Sequence, residues 1–377
     1  MVTDKINVVS LDVPYPPDYG GAIDIFYKIK ALHDSGVQVY FHCFEYGRPP
    51  QEEISKWCKE VHYYPRKTDL LSHFSTLPYI IYSRRSKALL DQLATNDYPI
   101  LFEGFHTIYH LIKGKLPGRK VLIRSHNIEH NYYFQLARRE KNLIKKAFYY
   151  KEAFQLKQVI GKLPKGVCIG AISIADTEYW QAKIGHLAFW LPPFHSNNRV
   201  VSEEGIGEYV LYHGNLSVSE NSEMAEQLIQ LFGDKDILLI ITGKDPGDSL
   251  RKGAKQRGNI QLIADPDAVQ MNELIKNAQV ILLPTFQPTG VKLKLLESLY
   301  RGRFCLANST MMIGTRLEAA MIIAEIEDFY AEAARLMKVP FSKAHIQERQ
   351  KLLSRNYANA TNAQLLINRA SQIAPKN

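Results

Sequence analysis

The sequence predicts an α/β protein with two Rossmann-like domains, and three observations support this prediction. The chain has 377 residues, more than one ordinary domain and close to two of about 150 to 200 residues each. Short apolar segments typical of strands alternate with helical segments along both halves, which is the pattern of a parallel sheet covered by helices on both faces. Prolines and turn-forming residues interrupt the alternation at 191–198, which we interpret as an interdomain linker.

The first half contains short strands rich in β-branched and other apolar residues. They are predicted at 6–11, 37–44, 61–64, 100–102, 121–123 and 167–172. Helices are predicted between the strands, where apolar residues recur every three or four positions, at 22–34, 86–94, 131–160 and 175–183. Ligands of open parallel sheets bind beyond the carboxyl ends of the strands, so the segments that follow these strands are candidate sites.

The second half repeats the alternation. Strands are predicted at 209–212, 237–242, 260–263, 280–283 and 304–307. Helices are predicted at 220–232, at 268–277, and from Thr289 and Gly290 up to Gly302, with a helical tail after the last strand. Gly302 stands where a helix-ending glycine is expected, directly after the last amphipathic turn.

The chain is basic, with a net charge of +9 and a pI near 9.1. The excess of lysine and arginine is concentrated at 84–87, 113–120 and 138–151. One interpretation is that these segments are solvated helix faces. The other is that the first domain docks to an anionic membrane leaflet. Nucleic-acid binding is not expected, because aromatic residues do not interleave with the basic segments as they do in RNA-binding modules.

The cysteines and the N-terminal segment indicate a cytoplasmic protein. Cys43, Cys58, Cys168 and Cys305 are scattered, without a Cys-x-x-Cys pair or zinc-ligand spacing. This favours buried thiols in a reducing compartment over a disulfide framework or a metal site. The N-terminal segment lacks the apolar core of a signal peptide, and no run of about 18 uncharged apolar residues predicts a membrane-spanning helix.

The segment 284–309 carries the most informative chemistry. It has the pattern of a strand end, a Pro/Gly loop, an amphipathic helix and the next strand. Such a loop points backbone N–H groups and the positive end of the helix dipole at a ligand, which favours a phosphate. Helical spacing puts Gly290, Lys294 and Glu297 on one face. A cation and a carboxylate together suit a nucleotide, because one meets the diphosphate and the other the ribose hydroxyls. An ordinary amphipathic helix with solvated lysines is the alternative.

Glycine-containing loops follow strands in both halves and are candidate anion-binding segments, which the resemblance described below would assign to a nucleotide-sugar donor. Glycine lets a ligand approach the backbone closely and leaves N–H groups free to face an anion. A glycine pair opens a helix in the first half, although two turn glycines would look the same. In the second half, two loops each contain a glycine followed by a polar residue. The residues of these loops are Gly20, Gly21, Gly214, Asn215, Gly243 and Lys244.

Polar residues also follow two neighbouring strands of the first half. Glu103 and His106 come after one predicted strand and are candidate ligand-binding residues, which the resemblance described below would place on the acceptor side. His126 comes after the next strand, where Asn127 and Glu129 are expected to orient it or to bind acceptor hydroxyls. A histidine with a purely structural role is the alternative interpretation.

The segment 284–309 resembles the carboxylate signature of retaining family 4 glycosyltransferases, which have the GT-B fold. That signature contains two glutamates, of which the second contacts the ribose of the nucleotide-sugar donor and is matched by Glu297. Thr289 stands at the position of the first glutamate, so the usual contact to the donor sugar is altered. The spacing Gly-x-Lys-x-Lys-x-x-Glu is similar to one subgroup of these enzymes, and it is formed here by Gly290, Lys292, Lys294 and Glu297.

The resemblance extends to other segments in the same order. The pair Gly20 and Gly21 is similar to the glycines that open the first helix beside the interdomain cleft. His126 matches a histidine that lines this cleft near the donor sugar. The family usually has an arginine and a lysine after the first strand of the second domain, and this chain has neither between Tyr212 and Leu231. The residues expected to replace that charge are Lys244, Lys292 and Lys294.

The resemblance implies a GT-B architecture. Residues 1–195 would form an acceptor-side domain and residues 196–345 a nucleotide-sugar-binding domain. The two would face each other across a cleft, and a C-terminal helix would cross back, so that residues from about 346 to 377 join the first domain.

The resemblance also implies a retaining sugar transfer from a nucleotide sugar to a glycan or lipid-linked acceptor, in surface polysaccharide synthesis. The nucleotide sugar would be a co-substrate and no metal would be needed. Catalytic roles would fall to His126, Lys294 and Glu297. Two alternatives remain, a nucleotide-sugar epimerase of the same fold and a catalytically silent binding subunit. Thr289 and the missing arginine and lysine favour the second of these.

Overall fold

The chain forms two compact units. The computed structural model describes residues 3–287 and 290–372, of which 3–196 and 357–372 belong to the first unit and the others to the second. The boundary between residues 196 and 197 lies inside the proline-rich segment 191–198. Thr289 lies outside the described residues. None of the helices within the described ranges has the length and apolar character that crossing a bilayer requires.

The first unit contains a parallel sheet, seven-stranded within the described residues. Its strands are β1 (Lys5–Ser10), β2 (Gln38–Glu45), β3 (Glu60–Pro65), β4 (Ile100–Glu103), β5 (Val121–Ser125), β6 (Cys168–Ala171) and β7 (Ala188–Trp190). The order is β3-β2-β1-β4-β5-β6-β7, and neighbouring strands are parallel. The direction of strand order changes between β1 and β4, so the loops after these two strands border the crevice where such sheets bind ligands.

Helices cover both faces of this sheet, because alternate residues of each strand point to opposite faces and both faces are apolar. Ile100 and Phe102 of β4 belong to one core, and Leu101 belongs to the other. The helices up to the linker are α1 (Gly20–Asp34), α2 (Tyr79–Tyr82), α3 (Lys87–Leu93), α4 (Tyr109–Ile112), α5 (Glu129–Arg139), α6 (Leu143–Ile160) and α7 (Ile174–Ile184).

The second unit has a parallel sheet of the same kind. Its strands are β8 (Tyr209–Asn215), β9 (Leu239–Lys244), β10 (Ile260–Ala264), β11 (Ala278–Leu283), β12 (Phe304–Ala307) and β13 (Ile322–Ile323). The order in the described residues is β10-β9-β8-β11-β12-β13. The change of direction between β8 and β11 places a second ligand crevice beside the loops that follow these strands.

The helices of the second unit are α8 (Ser219–Phe232), α9 (Asp248–Lys255), α10 (Ala268–Asn277), α11 (Leu293–Arg301), α12 (Ser309–Met312), α13 (Phe329–Leu336) and α14 (Lys343–Asn356). Helix α15 (Asn359–Gln372) belongs to the first unit. The return to the first unit thus begins at Tyr357, later than the expected residue 346. Helix α14 stays with the second unit, where Arg349 donates hydrogen bonds to the carbonyl oxygens of Leu299, Gly302 and Arg303 at 3.2, 2.6 and 2.6 Å.

Short 3-10 helices complete the two units. They lie at Glu52–Lys56, Leu70–Phe74, Phe105–Thr107, Gly185–Leu187, Glu318–Ala320 and Ile326–Asp328. Helices α2, α4 and α9 and strands β7 and β13 are additional to the elements that the sequence pattern predicts.

The structure corrects two predicted helices. The segment predicted as one helix at 131–160 forms α5 and α6, because Glu140 has extended backbone and the side chain of Asn142 caps α6. The Oδ1 atom of Asn142 accepts hydrogen bonds from the next helical N–H groups at 3.0 and 3.1 Å. The helix predicted to open at Gly290 begins at Leu293, because Gly290 has a φ of +68°, which lies in the left-handed region.

Candidate functional site

The carboxyl ends of β4 and β5 bring five side chains together in the first unit, and we call them the charged cluster. Asp24 and Lys28 lie one turn apart on α1, Glu103 ends β4, Arg124 belongs to β5, and His126 follows that strand. All of these side chains except His126 are at most 1% exposed. The cluster forms here because parallel strands end at one edge of the sheet, where α1 packs against them.

The buried charges of the cluster are paired. The Nζ atom of Lys28 lies 2.8 Å from both carboxylate oxygens of Glu103 and 2.9 Å from Oδ2 of Asp24. Arg124 donates to both oxygens of Asp24 at 3.0 Å. Burial alone raises the pKa of a carboxyl group. Arg124 and Lys28 outweigh burial at Asp24, and Lys28 and His126 outweigh it at Glu103, so both pKa values lie below their ordinary values.

His126 lies at the surface of the cluster, with its side chain 14% exposed. Its Nδ1 atom is 3.7 Å from Oδ2 of Asp24, and its Nε2 atom is 3.3 Å from Oε2 of Glu103. The Nε2 atom is buried, and its alignment with Glu103 falls short of a hydrogen bond. The ring therefore contacts two buried carboxylates while part of it stays accessible.

Three members of the cluster are residue types that bind metal ions. The ligand atoms of Asp24, Glu103 and His126 lie within 4.8 Å of one another. The ammonium group of Lys28 already lies between the two carboxylates, and Arg124 engages Asp24 from the other side. A divalent ion would have to displace Lys28 or share a buried space with its charge, which is costly. The arrangement therefore fits an internal ion-pair network better than a metal centre.

The residues predicted on the acceptor side differ in exposure. Glu103 is fully buried, so its carboxylate contacts Lys28 and the ring of His126 in place of solvent. His106 lies beside Gly104, which has a φ of +77° and on which a Cβ atom would lie 2.9 Å from Nδ1 of His106. Burial, followed by the charge of Arg84, holds the pKa of His106 well below its ordinary value, so this ring is neutral.

The other predicted residues of the first unit lie around the cluster. Asn127 is half-buried, and its carbonyl oxygen accepts a hydrogen bond from Oγ of Ser125 at 2.9 Å. Glu129 begins α5 and is buried. Burial, reinforced by the charge of Asp176, raises the pKa of Glu129 to about 8. A carboxyl group with such a pKa is largely protonated at neutral pH and can donate a hydrogen bond.

The glycine pair lies at the start of α1. Gly20 is exposed and Gly21 is half-buried. A Cβ atom on Gly21 would lie 3.0 Å from the ring of Tyr19, whose hydroxyl donates to Oδ2 of Asp12 at 3.2 Å. The backbone start of α1 is thus covered by an aromatic ring on one side and faces solvent at Gly20.

In the second unit, Lys294 is the second residue of α11 and lies close to the crevice between β8 and β11. Its Nζ atom is 5.2 Å from the centre of the Tyr212 ring, a cation–π distance. Among the described residues, no carboxylate lies within ion-pair distance of this lysine. Burial lowers the pKa of Lys294 to about 8, against the opposing effect of Glu220. This lysine is therefore a largely desolvated cation that no acid neutralises in this part of the structure.

The rest of the signature segment surrounds Lys294. Glu297 lies one turn further along α11, half-buried, and burial raises its pKa in spite of Arg301. Lys292 donates from Nζ to the carbonyl oxygen of Gln287 at 2.8 Å, which ties the start of the helix to the preceding loop. Gly290 supplies the left-handed residue of that loop.

The loops after β8 and β9 are held by close backbone contact. Gly214 pairs with Gly243 in the ladder, and a Cβ atom on Gly243 would lie 1.7 Å from the carbonyl oxygen of Gly214. Only glycine fits at position 243 because any side chain would overlap this oxygen. Asn215 stabilises its loop by accepting hydrogen bonds from the N–H and hydroxyl groups of Ser217 at 3.1 and 2.7 Å. Lys244 is exposed at the end of β9.

Several residues of these sites are not identified by the sequence pattern. His213 is fully buried, and its Nε2 atom lies 2.9 Å from Oγ of Ser298, which ties β8 to α11. Asp24, Lys28 and Arg124 complete the charged cluster. The sequence did contain a signal for Asp24 and Lys28. An acid and a base four residues apart on the apolar face of a predicted helix are expected to pair in the interior. The other residue in this group is Glu220, which accepts hydrogen bonds from Thr285 and from the N–H of Phe286 at 3.0 Å.

Comparisons with known proteins support the fold. An uncharacterized 44.6 kDa protein of the cps region of Klebsiella pneumoniae is 26% identical over 359 residues, 87% of this chain and 89% of that protein. A glycosyltransferase from Rickettsia africae has a TM-score of 0.66 at 11% identity, covering 99% of this chain and 100% of its own. The lipopolysaccharide outer core galactosyltransferase WaaB has a TM-score of 0.61 at 15% identity, covering 96% and 99%. No family model matches the chain. The predicted fold class, an α/β protein of the GT-B type with two Rossmann-like units, is confirmed.

Proposed function

We propose that this chain is a glycosyltransferase that moves a sugar from a nucleotide-sugar donor to a glycan or lipid-linked acceptor, with retention of configuration. The observation that carries the proposal is the desolvated charge of Lys294 at the ligand crevice of the second unit, which no acid among the described residues neutralises. Two further findings support it, the fold shared with solved glycosyltransferases and the relative from a cps region. The proposed context is the synthesis of a surface polysaccharide.

The donor would bind in the second unit. A diphosphate is the ligand whose charge complements Lys294, because an ammonium group with little water and no acid gains most from a bound anion. Glu297 lies one turn away and would accept hydrogen bonds from the ribose hydroxyls. Positions 214 and 243 carry no side chain, so the backbone at these two glycines would remain available to the donor.

Catalysis would depend on positioning and on stabilising the departing diphosphate. Lys294 would offset the negative charge that develops on the leaving group, as preorganised cations do in phosphate chemistry. In the first unit, His126 is the accessible member of the charged cluster and the proposed contact for a sugar hydroxyl. The proposal includes no metal ion, because lysine side chains supply the positive charge at the donor site.

The decisive experiment measures donor binding before transfer. Thermal unfolding is followed with a panel of nucleoside diphosphates and nucleotide sugars, each with EDTA and with magnesium. A rise in Tm for one base that is the same with EDTA supports the donor site, because a ligand selective for the native state stabilises it. Lys294→Met should abolish most of this rise, whereas Lys255→Met, an exposed lysine at the end of α9, should leave it intact.

Other results would assign a different function. No shift with any nucleotide would favour the catalytically silent subunit. Consumption of the donor without an acceptor, with an altered sugar configuration, would identify an epimerase. For a transferase, NMR of the product formed by the bound donor and a glycan acceptor distinguishes retention from inversion at the anomeric carbon.

The first unit is also proposed to contact an anionic membrane at the cytoplasmic face. Leu143 and Ile144, at the start of α6, are 79% and 83% exposed and are followed by Lys145 and Lys146. Large apolar side chains this exposed, beside lysines, match a surface that inserts shallowly while its cations meet lipid phosphates.

A second exposed apolar segment adjoins the first. Leu70 and Phe74, in a 3-10 helix, are 75% and 77% exposed. This helix packs on α6, because Lys151 donates to the carbonyl oxygen of His73 and the ring of His73 lies 5.6 Å from that of Phe148. The apolar tips and the lysines thus belong to one surface of the first unit, which favours a membrane over independent solvated residues.

Vesicle sedimentation tests the membrane contact. We expect binding to vesicles containing phosphatidylglycerol and little binding to pure phosphatidylcholine, with loss at high salt because the attraction is partly electrostatic. The variant Leu143→Ser/Ile144→Ser should bind several-fold more weakly. Val269→Ser removes an equally exposed apolar residue from the second unit and should have no effect. Equal binding of the two variants would contradict the assignment of this surface.

A further inference from the structure

The ring of His126 meets two carboxylates, but only one of them has free hydrogen-bonding capacity. An ionised carboxylate accepts about four hydrogen bonds. Asp24 already accepts four, because Oδ1 receives Nη2 of Arg124 at 3.0 Å and the N–H of Phe194 at 2.8 Å, and Oδ2 receives Nε of Arg124 at 3.0 Å and Nζ of Lys28 at 2.9 Å. Asp24 therefore has no acceptor position left for the imidazole.

Glu103 is less occupied. Among the described residues, its two oxygens accept hydrogen bonds only from Nζ of Lys28, at 2.8 Å each. The Oε2 atom therefore keeps an acceptor position, and Nε2 of His126 lies 3.3 Å away. The distance from Nδ1 to Asp24 is longer, at 3.7 Å. Within the described residues, the cluster thus offers an acceptor to Nε2 and none to Nδ1.

We propose that Glu103 is a positioning residue that orients the imidazole of His126 and holds its proton on Nε2. Nε2 lies within hydrogen-bonding distance of Glu103 but is not aligned with it, so a small rotation of the ring would complete the bond. The hydrogen bond that a neutral histidine makes sets which nitrogen bears its proton. Lys28 in turn keeps Glu103 ionised and in place. The atom left as an acceptor is Nδ1, on a side chain that is 14% exposed although its Nε2 atom is buried.

The chemical consequence concerns the ligand that His126 recognises. An unprotonated Nδ1 accepts a hydrogen bond and repels another acceptor, so the matching group is a donor such as a sugar hydroxyl. This part rests on the proposed function, because it assumes a sugar at His126. The orientation of the ring by Glu103 does not depend on the proposed function, and it holds for any ligand that binds at His126.

The test is nuclear magnetic resonance of protein labelled with ¹⁵N-histidine, at a pH where His126 is neutral. The resonances of His126 are assigned by their loss in His126→Gln. We expect wild-type protein to show a proton on Nε2 and a free Nδ1. The variant Lys28→Met/Glu103→Leu removes both partners together, so no buried charge is left unpaired and the fold is retained. Loss of Lys28 also frees Oδ2 of Asp24 to accept from Nδ1, so in this variant we expect a larger Nδ1-protonated population than in wild type.

Two controls separate positioning from general stability. Glu152→Gln alters another buried carboxylate of the first unit, which accepts hydrogen bonds from the N–H groups of Tyr79 and Ile80 at 2.7 and 3.2 Å. It should lower the Tm but leave the tautomer of His126 unchanged. Glu103→Asp keeps a carboxylate and should restore part of the Nε2-protonated population.

The outcomes distinguish this inference from the proposed function. A proton on Nδ1 in wild type, or an unchanged tautomer in Lys28→Met/Glu103→Leu, would overturn the positioning role. Where transfer is detected, the double variant should lower kcat by about 10- to 100-fold through misplacement of the ring, with an unchanged donor Kd. A protein without transferase activity but with the expected tautomers would refute the proposed function and leave the positioning role standing. If the double variant does not fold, the tautomer measured in wild-type protein is the test of the positioning role.

Discussion

Lys28 and Glu103 form a buried ion pair in which one ammonium group lies 2.8 Å from both oxygens of the carboxylate, across 75 residues of sequence. The pair joins α1 to the end of β4, at the point where the strand order of the first unit changes direction. Since both side chains are almost fully buried, neither contacts a ligand directly. Any effect of this pair on a ligand would therefore act through His126, whose Nε2 atom lies 3.3 Å from the same carboxylate.

The ion pair makes the stability of the first unit sensitive to acid. The pKa values of Asp24 and Glu103 are lowered in the folded state from ordinary values of 3.8 and 4.5. Their contribution is therefore fully present above about pH 4.5 and is lost as the pH falls through the lower folded-state values. We expect Lys28→Met/Glu103→Leu to show a shallower decline in unfolding free energy between pH 5 and 3, by up to about 1.4 kcal/mol per pH unit. Urea unfolding followed by circular dichroism gives the unfolding free energy at each pH. Parallel curves of free energy against pH for wild type and variant would contradict the prediction.

Glu129 should have the opposite pH dependence. Its pKa rises from 4.5 to about 8 on folding because the carboxyl group is buried. The unfolded chain therefore releases this proton first, and stability is lost progressively as the pH rises from about 4.5 to 8. Glu129→Gln removes this loss, so its Tm should exceed that of wild type at pH 8. At pH 4 both side chains are neutral and the difference should be small. A constant difference at both pH values would show that burial does not raise this pKa.

Affinity for a nucleoside diphosphate should fall as the pH rises past 8. Lys294 has a pKa of about 8 in the free protein because it is buried, so its charge is progressively lost above this value. We expect the Kd, measured by calorimetry, to increase by up to about tenfold per pH unit above pH 8. Lys294→Met should bind weakly, with a flat profile, whereas Lys255→Met should follow wild type. A wild-type profile in Lys294→Met would place the diphosphate elsewhere.

Ser298→Ala should destabilise the second unit through His213. The buried imidazole has its pKa lowered to about 3, mainly by burial, and is therefore neutral, with Ser298 as a hydrogen-bond partner at 2.9 Å. Loss of the hydroxyl leaves a buried polar atom unpaired, at a cost of about 1 to 3 kcal/mol. Ser219→Ala, at the exposed start of α8, should change stability by less than about 0.5 kcal/mol. Chemical denaturation compares the two, and equal stabilities would show that this bond contributes little.

Much of the fold was predictable because it rests on local patterns. Apolar periodicity depends on neighbouring residues alone, so the strands at 100–102 and 304–307 and the helix at 268–277 are found close to the predicted bounds. Helix ends were less predictable. The break between α5 and α6 depends on the cap at Asn142, which interrupts an otherwise continuous helical pattern.

The candidate sites were partly predictable for the same reason. Residues that follow parallel strands must share one edge of the sheet, so Glu103 and His126 were expected near each other and lie in one cluster. Their roles remain predictions. The pairing of Glu103 with Lys28 was not predictable, because strand and helix periodicity does not indicate which distant side chains meet.

The sequence by itself determined the two parallel sheets, their helices and the strand ends at which charged residues gather, since each follows from spacing along the chain. The tertiary structure alone decided which charges are neutralised. Asp24 meets Arg124 across 100 residues of sequence, while Lys294 meets an aromatic ring and no acid among the described residues. The physical reason is that the state of an ionisable group depends on the water and charges around it, and these are brought together only when distant segments pack.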